Sequence, residues 1–122
     1  MSQIHTIGVV DDDEEVRDSI AAVFRSEGMS VCAFPNAESL LTSPLIDTLD
    51  CLVTDLHMPG IDGFGLRREL IDQGKQLPVV MMTAFATPEA RDIADSLGIE
   101  EFLEKPADPD VLLKVVRSLL AN

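Results

Sequence analysis

Apolar residues in this chain fall into two alternating patterns, short unbroken runs and longer stretches in which they recur every three or four positions. The runs are Ile4 to Val10, Val31 to Phe34, Cys51 to Thr54, Pro78 to Met82 and Phe102 to Leu103. Most are apolar throughout, as strands covered on both faces are. Between them, Val16, Ile20, Val23 and Phe24 form one stripe, Ala90, Ile93, Ala94 and Leu97 a second, and Val111, Leu112, Val115, Val116, Leu119 and Leu120 a third. Each spacing predicts a helix with a core-facing side. Ala37, Leu40 and Leu41 mark a short helix, and Phe64, Leu66, Leu70 and Ile71 a less regular one. Thr87-Pro88 and Asp108-Pro109 are helix starts, a capping side chain followed by a proline whose missing N–H is not needed in the first turn. Gly28, Gly74 and Gly98 stand where helices should stop, and Thr42 to Asp50 is the longest loop expected. Alternating strand and helix predict an α/β domain around a parallel sheet, one domain spanning 1–122.

Charge narrows the function. Twenty-two acidic against nine basic residues give a net charge of −13, which repels nucleic acid and anionic membrane, so neither is expected as a partner. No segment approaches the ~18 apolar residues of a membrane span, and Met1 to Val10 hold no basic leader. The reading is a cytoplasmic protein. Cys32 and Cys51, in the second and third predicted strands, read as buried reduced thiols.

The polar residues that interrupt this pattern gather at strand ends. Asp11, Asp12 and Asp13 follow the first run, Asp55 the third, Thr83 the fourth and Lys105 the fifth. In an open parallel sheet the ligand crevice lies outside the carboxyl ends of the strands, where strand order reverses. For the order 2-1-3-4-5 that point lies between strands one and three, which brings Asp11 and Asp12 beside Asp55. Carboxylates so close repel one another unless a cation intervenes, and Mg²⁺, which takes oxygen ligands and keeps several waters, suits one or two carboxylates plus phosphate. Asp55 is then a nucleophile for a phosphoryl group, with Lys105 to pair with the phosphate and Thr83 to offer it a hydroxyl. Asp13, Glu14 and Glu15 read as a solvated helix start, and MPGIDG as a turn in which Gly60 and Gly63 supply permissive backbone.

Four segments, VVDDDEEVR at 9–17, LVTDLHMPGIDG at 52–63, VMMTA at 80–84 and FLEKP at 102–106, resemble the signature blocks of response regulator receiver domains. VTDLHMP is most similar to receivers of FixJ-type transcriptional regulators. The resemblance implies a flavodoxin-like, doubly wound five-stranded sheet in the order 2-1-3-4-5 with five helices. It makes the chain a phosphorylation switch fed by a sensor histidine kinase, not an enzyme acting on other molecules, with an output domain outside this chain regulating transcription. Carried over by position, Asp55 is the phosphoacceptor. Asp12 is a direct Mg²⁺ ligand, with Mn²⁺ a possible substitute, Asp11 a ligand through water, and His57 a ligand by its backbone carbonyl. Thr83 and Phe102 are the switch pair, Ala84 is the small residue beside the phosphoryl group, and a cis Lys105-Pro106 bond aims the lysine. Output, including a homodimer contact, is expected on the face of the fourth helix, fifth strand and fifth helix. His57 and Phe85 flank the phosphoryl site, and an apolar Phe85 implies a longer-lived phosphate. In this strand order Cys32 and Cys51 sit about 10 Å apart, beyond the ~7 Å reach of a disulfide.

Two other readings use the same residues. A haloacid-dehalogenase-like phosphotransferase also has an aspartate nucleophile and Mg²⁺, but wants an acidic residue where His57 stands. A degenerate receiver would be an interaction module without phosphorylation, against which the intact Asp55, Thr83 and Lys105 argue.

Overall fold

The computed structural model describes residues 3–121; Met1, Ser2 and Asn122, which the expected domain includes, lie outside the described residues. Five strands, β1 (Thr6–Val10), β2 (Ser30–Phe34), β3 (Cys51–Asp55), β4 (Val79–Thr83) and β5 (Glu101–Glu104), alternate with α1 (Glu14–Ser26), α2 (Ala37–Leu41), α3 (Gly63–Asp72), α4 (Pro88–Ser96) and α5 (Pro109–Leu120). The sheet order is β2-β1-β3-β4-β5 and all four pairings are parallel. This is the doubly wound, flavodoxin-like architecture expected.

The order follows from burial. β3 and β4 are buried at every residue, so they take the centre, whereas β2 and β5 are partly exposed and take the edges. On one face Ile7, Val9, Cys51, Val53, Val80 and Met82 pack with Phe24 of α1 and Leu112 and Val116 of α5. On the other, Val10, Leu52, Val79 and Met81 pack with Leu40 of α2, Leu66 and Leu70 of α3 and Ala94 of α4. Successive strand residues alternate between the two layers, so one register sends every side chain to a core.

Caps act as their residue types dictate. The Thr87 and Asp108 side chains accept from the N–H groups of Ala90 and Asp110, and Gly28, Gly74 and Gly98 turn the chain out of α1, α3 and α4 at φ of 82°, 72° and 67°. Several expectations need correction. Ile4 is exposed and β1 begins at Thr6, where the Asp50 carboxylate accepts the backbone N–H. Ile71, Ile93 and Val111, placed in core-facing stripes, are exposed, because each lies at the margin of an apolar face whose centre is already filled. The 42–50 loop carries a 3-10 helix at Pro44–Thr48 that buries Ile46.

Cys32 and Cys51 are both free thiols, but only Cys51 is buried as expected; Cys32 is partly exposed because β2 is an edge strand. They sit two strands apart and in opposite layers, Cys32 against the α2–α4 side and Cys51 on the α1–α5 side. Among the described residues no helix is long and apolar enough to cross a membrane.

Candidate functional site

β1, β3, β4 and β5 all run in one direction, so Asp11, Asp55, Thr83 and Lys105 emerge along one edge of the sheet. Asp11 and Thr83 are fully buried and Asp55 nearly so, while Asp12 is exposed at the rim. Carboxylate oxygens of Asp11, Asp12 and Asp55 lie within 4.8 Å of one another. Lys105 bridges two of them, its Nζ 3.0 Å from Asp11 Oδ2 and 3.3 Å from Asp55 Oδ1.

The electrostatics express this crowding. Burial raises the Asp55 carboxyl above its ordinary range; Lys105 opposes that rise, and the charges of Asp11 and Asp12 add to it. For Lys105, burial favours the neutral amine, but the hydrogen bond to Asp11 and the charges of Asp11 and Asp55 outweigh it and the ammonium is held above its usual range. Lys105 is thus a retained cation between two anions.

Backbone bonds hold the cluster in place. Asp11 Oδ1 accepts from the N–H of Asp13 at 2.9 Å, and Asp13 caps α1 by accepting from Glu15 and Val16. Arg17 donates to the Asp11 carbonyl at 2.9 Å. On the far side Lys105 N–H donates to the Thr83 carbonyl at 2.7 Å, and the Lys105-Pro106 peptide is cis. The Thr83 hydroxyl oxygen accepts from the Phe85 N–H at 3.1 Å, so its hydrogen is not spent in that bond. His57 is exposed, and its carbonyl accepts no hydrogen bond among the described residues. The three clustered carboxylates offer oxygen ligands, which fit a hard divalent cation such as Mg²⁺.

A family model described as the response regulator receiver domain matches residues 7–117. The chain belongs to this family. It is 36% identical to the transcriptional regulatory protein FixJ of Azorhizobium caulinodans over 95% of this chain and 55% of that one. It is 30% identical to the DNA-binding transcriptional regulator NtrC of Salmonella typhimurium over 95% of this chain and 25% of the relative. The crystal structure of FixJ-N superposes with a TM-score of 0.87 at 30% identity, covering 99% of this chain and 97% of that one. The chain spans about half the length of FixJ and a quarter of NtrC.

Within this receiver Asp11, Asp12, Asp55 and Lys105 come together, Thr83 adjoins Lys105 through its backbone carbonyl, and Phe102 is set apart. Its ring is half-buried on the α2–α4 side, stacked on Phe64 with centroids 6.4 Å apart. Three neighbours escaped the sequence reading. Arg17 stood in the sequence reading only as the last residue of the 9–17 segment, and Asp13, read as a solvated start, also donates its backbone N–H to Asp11. Gly63 has no positive φ; a Cβ there would lie 2.8 Å from the Asp55 carbonyl, so close approach, and not turn geometry, requires glycine.

Proposed function

We propose that this receiver, a single domain over residues 1–122, is a phosphorylation-activated switch that accepts a phosphoryl group from a sensor histidine kinase on Asp55. One observation carries the reading: Lys105 lies within ion-pair reach of two buried carboxylates with a third beside them. A single cation leaves that cluster with surplus negative charge, and Mg²⁺, or Mn²⁺ in its place, offsets it. Asp12 and Asp55 would hold the ion directly, Asp11 through water and His57 by its carbonyl. When bound, the ion supplies charge neutralisation for the carboxylates and the incoming phosphoryl oxygens.

In the transfer an Asp55 oxygen attacks phosphorus, a P–O bond forms as the kinase P–N bond breaks, and the departing imidazole regains its electron pair. Lys105 then pairs with the phosphoryl oxygens and Thr83 donates its hydroxyl hydrogen to one of them. A cleft of about 620 Å³ bordered by Val16, Ile20, Ala84, Lys105, Pro106 and Leu112 opens beside the lysine and offers apolar footing to the donor protein. The only acceptor is the chain's own Asp55, and hydrolysis of the acyl phosphate resets it. Phe85, 71% exposed and without a polar group to orient water, favours a long-lived phosphate.

Movement of Thr83 toward the phosphate repositions Phe102 and alters the α4–β5–α5 face, where a homodimer or an output domain docks. The net charge of −13 keeps this chain itself off DNA, so control of transcription belongs to a domain beyond it, in the cytoplasm. Beryllofluoride with Mg²⁺ tests the reading. Amide shifts should spread through residues 84–120 and vanish in Asp55→Asn; shifts confined to α1 and α2, or unchanged in that variant, would overturn it.

A further inference from the structure

On the α2–α4 side of the sheet, the Phe102 ring is in contact with groups from two neighbouring helices. Phe64 of α3 lies against it at 6.4 Å with the rings only 15° from parallel, and the guanidinium carbon of Arg91 on α4 lies over the ring, 5.6 Å from its centroid. Three elements meet in one contact. α4 is otherwise thinly anchored, with Ala94 its one buried residue and Ile93 exposed. Arg91 makes no ion pair among the described residues.

We propose that Arg91 is a positioning residue that clamps Phe102 inward against Phe64 and so ties the placement of α4 to the orientation of that ring. The inference rests on the reading of Phe102 as a switch and deepens it. A guanidinium is planar and weakly hydrated, which suits it to the negative face of an aromatic ring. Phenylalanine has no hydroxyl to fix it by a hydrogen bond, so its orientation rests on packing contacts such as those with Phe64 and Arg91. Phe64 follows Gly63, whose N–H donates to the Leu56 carbonyl at 2.8 Å and where a Cβ would lie 2.8 Å from the Asp55 carbonyl, so the wall that Phe64 forms is anchored beside the site. To swing outward, Phe102 must leave both Phe64 and Arg91. To move away, α4 must withdraw its cation from the ring. Each event therefore favours the other, and the coupling is reciprocal.

The test is fluorine NMR of protein carrying 4-fluorophenylalanine, with the Phe102 resonance assigned by Phe102→Leu. In the unphosphorylated protein, Arg91→Gln should raise the outward-to-inward ratio of Phe102 by about threefold, the scale of a partly exposed cation–π contact, with Arg91→Lys between Gln and wild type. Arg91→Gln should also speed amide exchange in α4, and that effect should disappear in the Phe102→Leu background. A Phe102 resonance and exchange rate in Arg91→Gln that match wild type would overturn the clamp. The switch reading fails separately, if beryllofluoride and Mg²⁺ leave the wild-type Phe102 resonance unchanged, because the Arg91 comparison needs no beryllofluoride.

Discussion

The two ends of β3 hold buried ionisable side chains four residues apart, and the sheet treats them in opposite ways. At the amino end Cys51 is fully buried, and burial, reinforced by the charges of Glu100 and Asp50, pushes its thiol up to about 12. It stays neutral and packs with Val53 and Ile7 as a small apolar group. At the carboxyl end Asp55 is also pushed up, but Lys105 holds it as half of an ion pair and two further carboxylates crowd it. The charges near the amino end are exposed or half-exposed, as in Lys75–Asp47 at 2.6 Å. Burying like charges without full compensation destabilises the fold. A sheet that tolerates this at one end only is holding a site there.

Asp55→Asn should break the contrast most completely. Phosphoryl incorporation from a small-molecule donor should fall to background, while the unliganded protein should gain about 1 kcal/mol against urea as the carboxylate crowding is relieved. Residual labelling at another residue would relocate the acceptor. Next in size, Asp12→Ala should weaken Mg²⁺ binding by more than about tenfold in a calorimetric titration, since even residues outside the ligand shell cost that much in metal sites. It should leave the fold intact because Asp12 is exposed. Unchanged Mg²⁺ affinity would remove Asp12 from the ligand set.

At the amino end the sign of the pH dependence is set by Cys51. Its folded thiol titrates at about 12 against an ordinary 9.0. Below 9 both folded and unfolded thiols are neutral and the contribution is whole; between 9 and 12 only the unfolded chain ionises, so stability drains as pH rises. Urea midpoints across that window should fall less steeply in Cys51→Ala than in wild type, and equal slopes would mean that the thiol is not buried as described. The smallest effect belongs to the exposed pair. Lys75→Ala should change stability by less than about 0.5 kcal/mol, because the Asp47 side chain is 74% exposed and water competes for both partners. A larger loss would show that the amino end carries structural charge after all.

The strands and most helices were legible because burial imposes a period on sequence. Val79 to Met82 could be nothing but a covered strand, and Thr87-Pro88 carried its cap in its own chemistry. Exposure of Ile71, Ile93 and Val111 was not legible. A stripe reveals which side of a helix is apolar, but how far the neighbouring elements reach around it depends on their packing. Gly63 looked like one more turn glycine, and only the approach of α3 to the Asp55 carbonyl assigns it a different reason.

By itself the sequence determined the alternation of elements, the strand ends at which Asp11, Asp12, Asp55, Thr83 and Lys105 stand, and the resemblance that joins them into one family. Each of these depends on local patterning or on residue identity. Tertiary structure alone decided that Lys105, fifty residues beyond Asp55 and ninety-four beyond Asp11, lies 3.3 Å and 3.0 Å from their carboxylates. It alone decided that Arg91 and Phe64 both lie against Phe102. These contacts join strands and helices remote in the chain, and their distances are set by how two apolar layers close on one sheet, which no local pattern encodes.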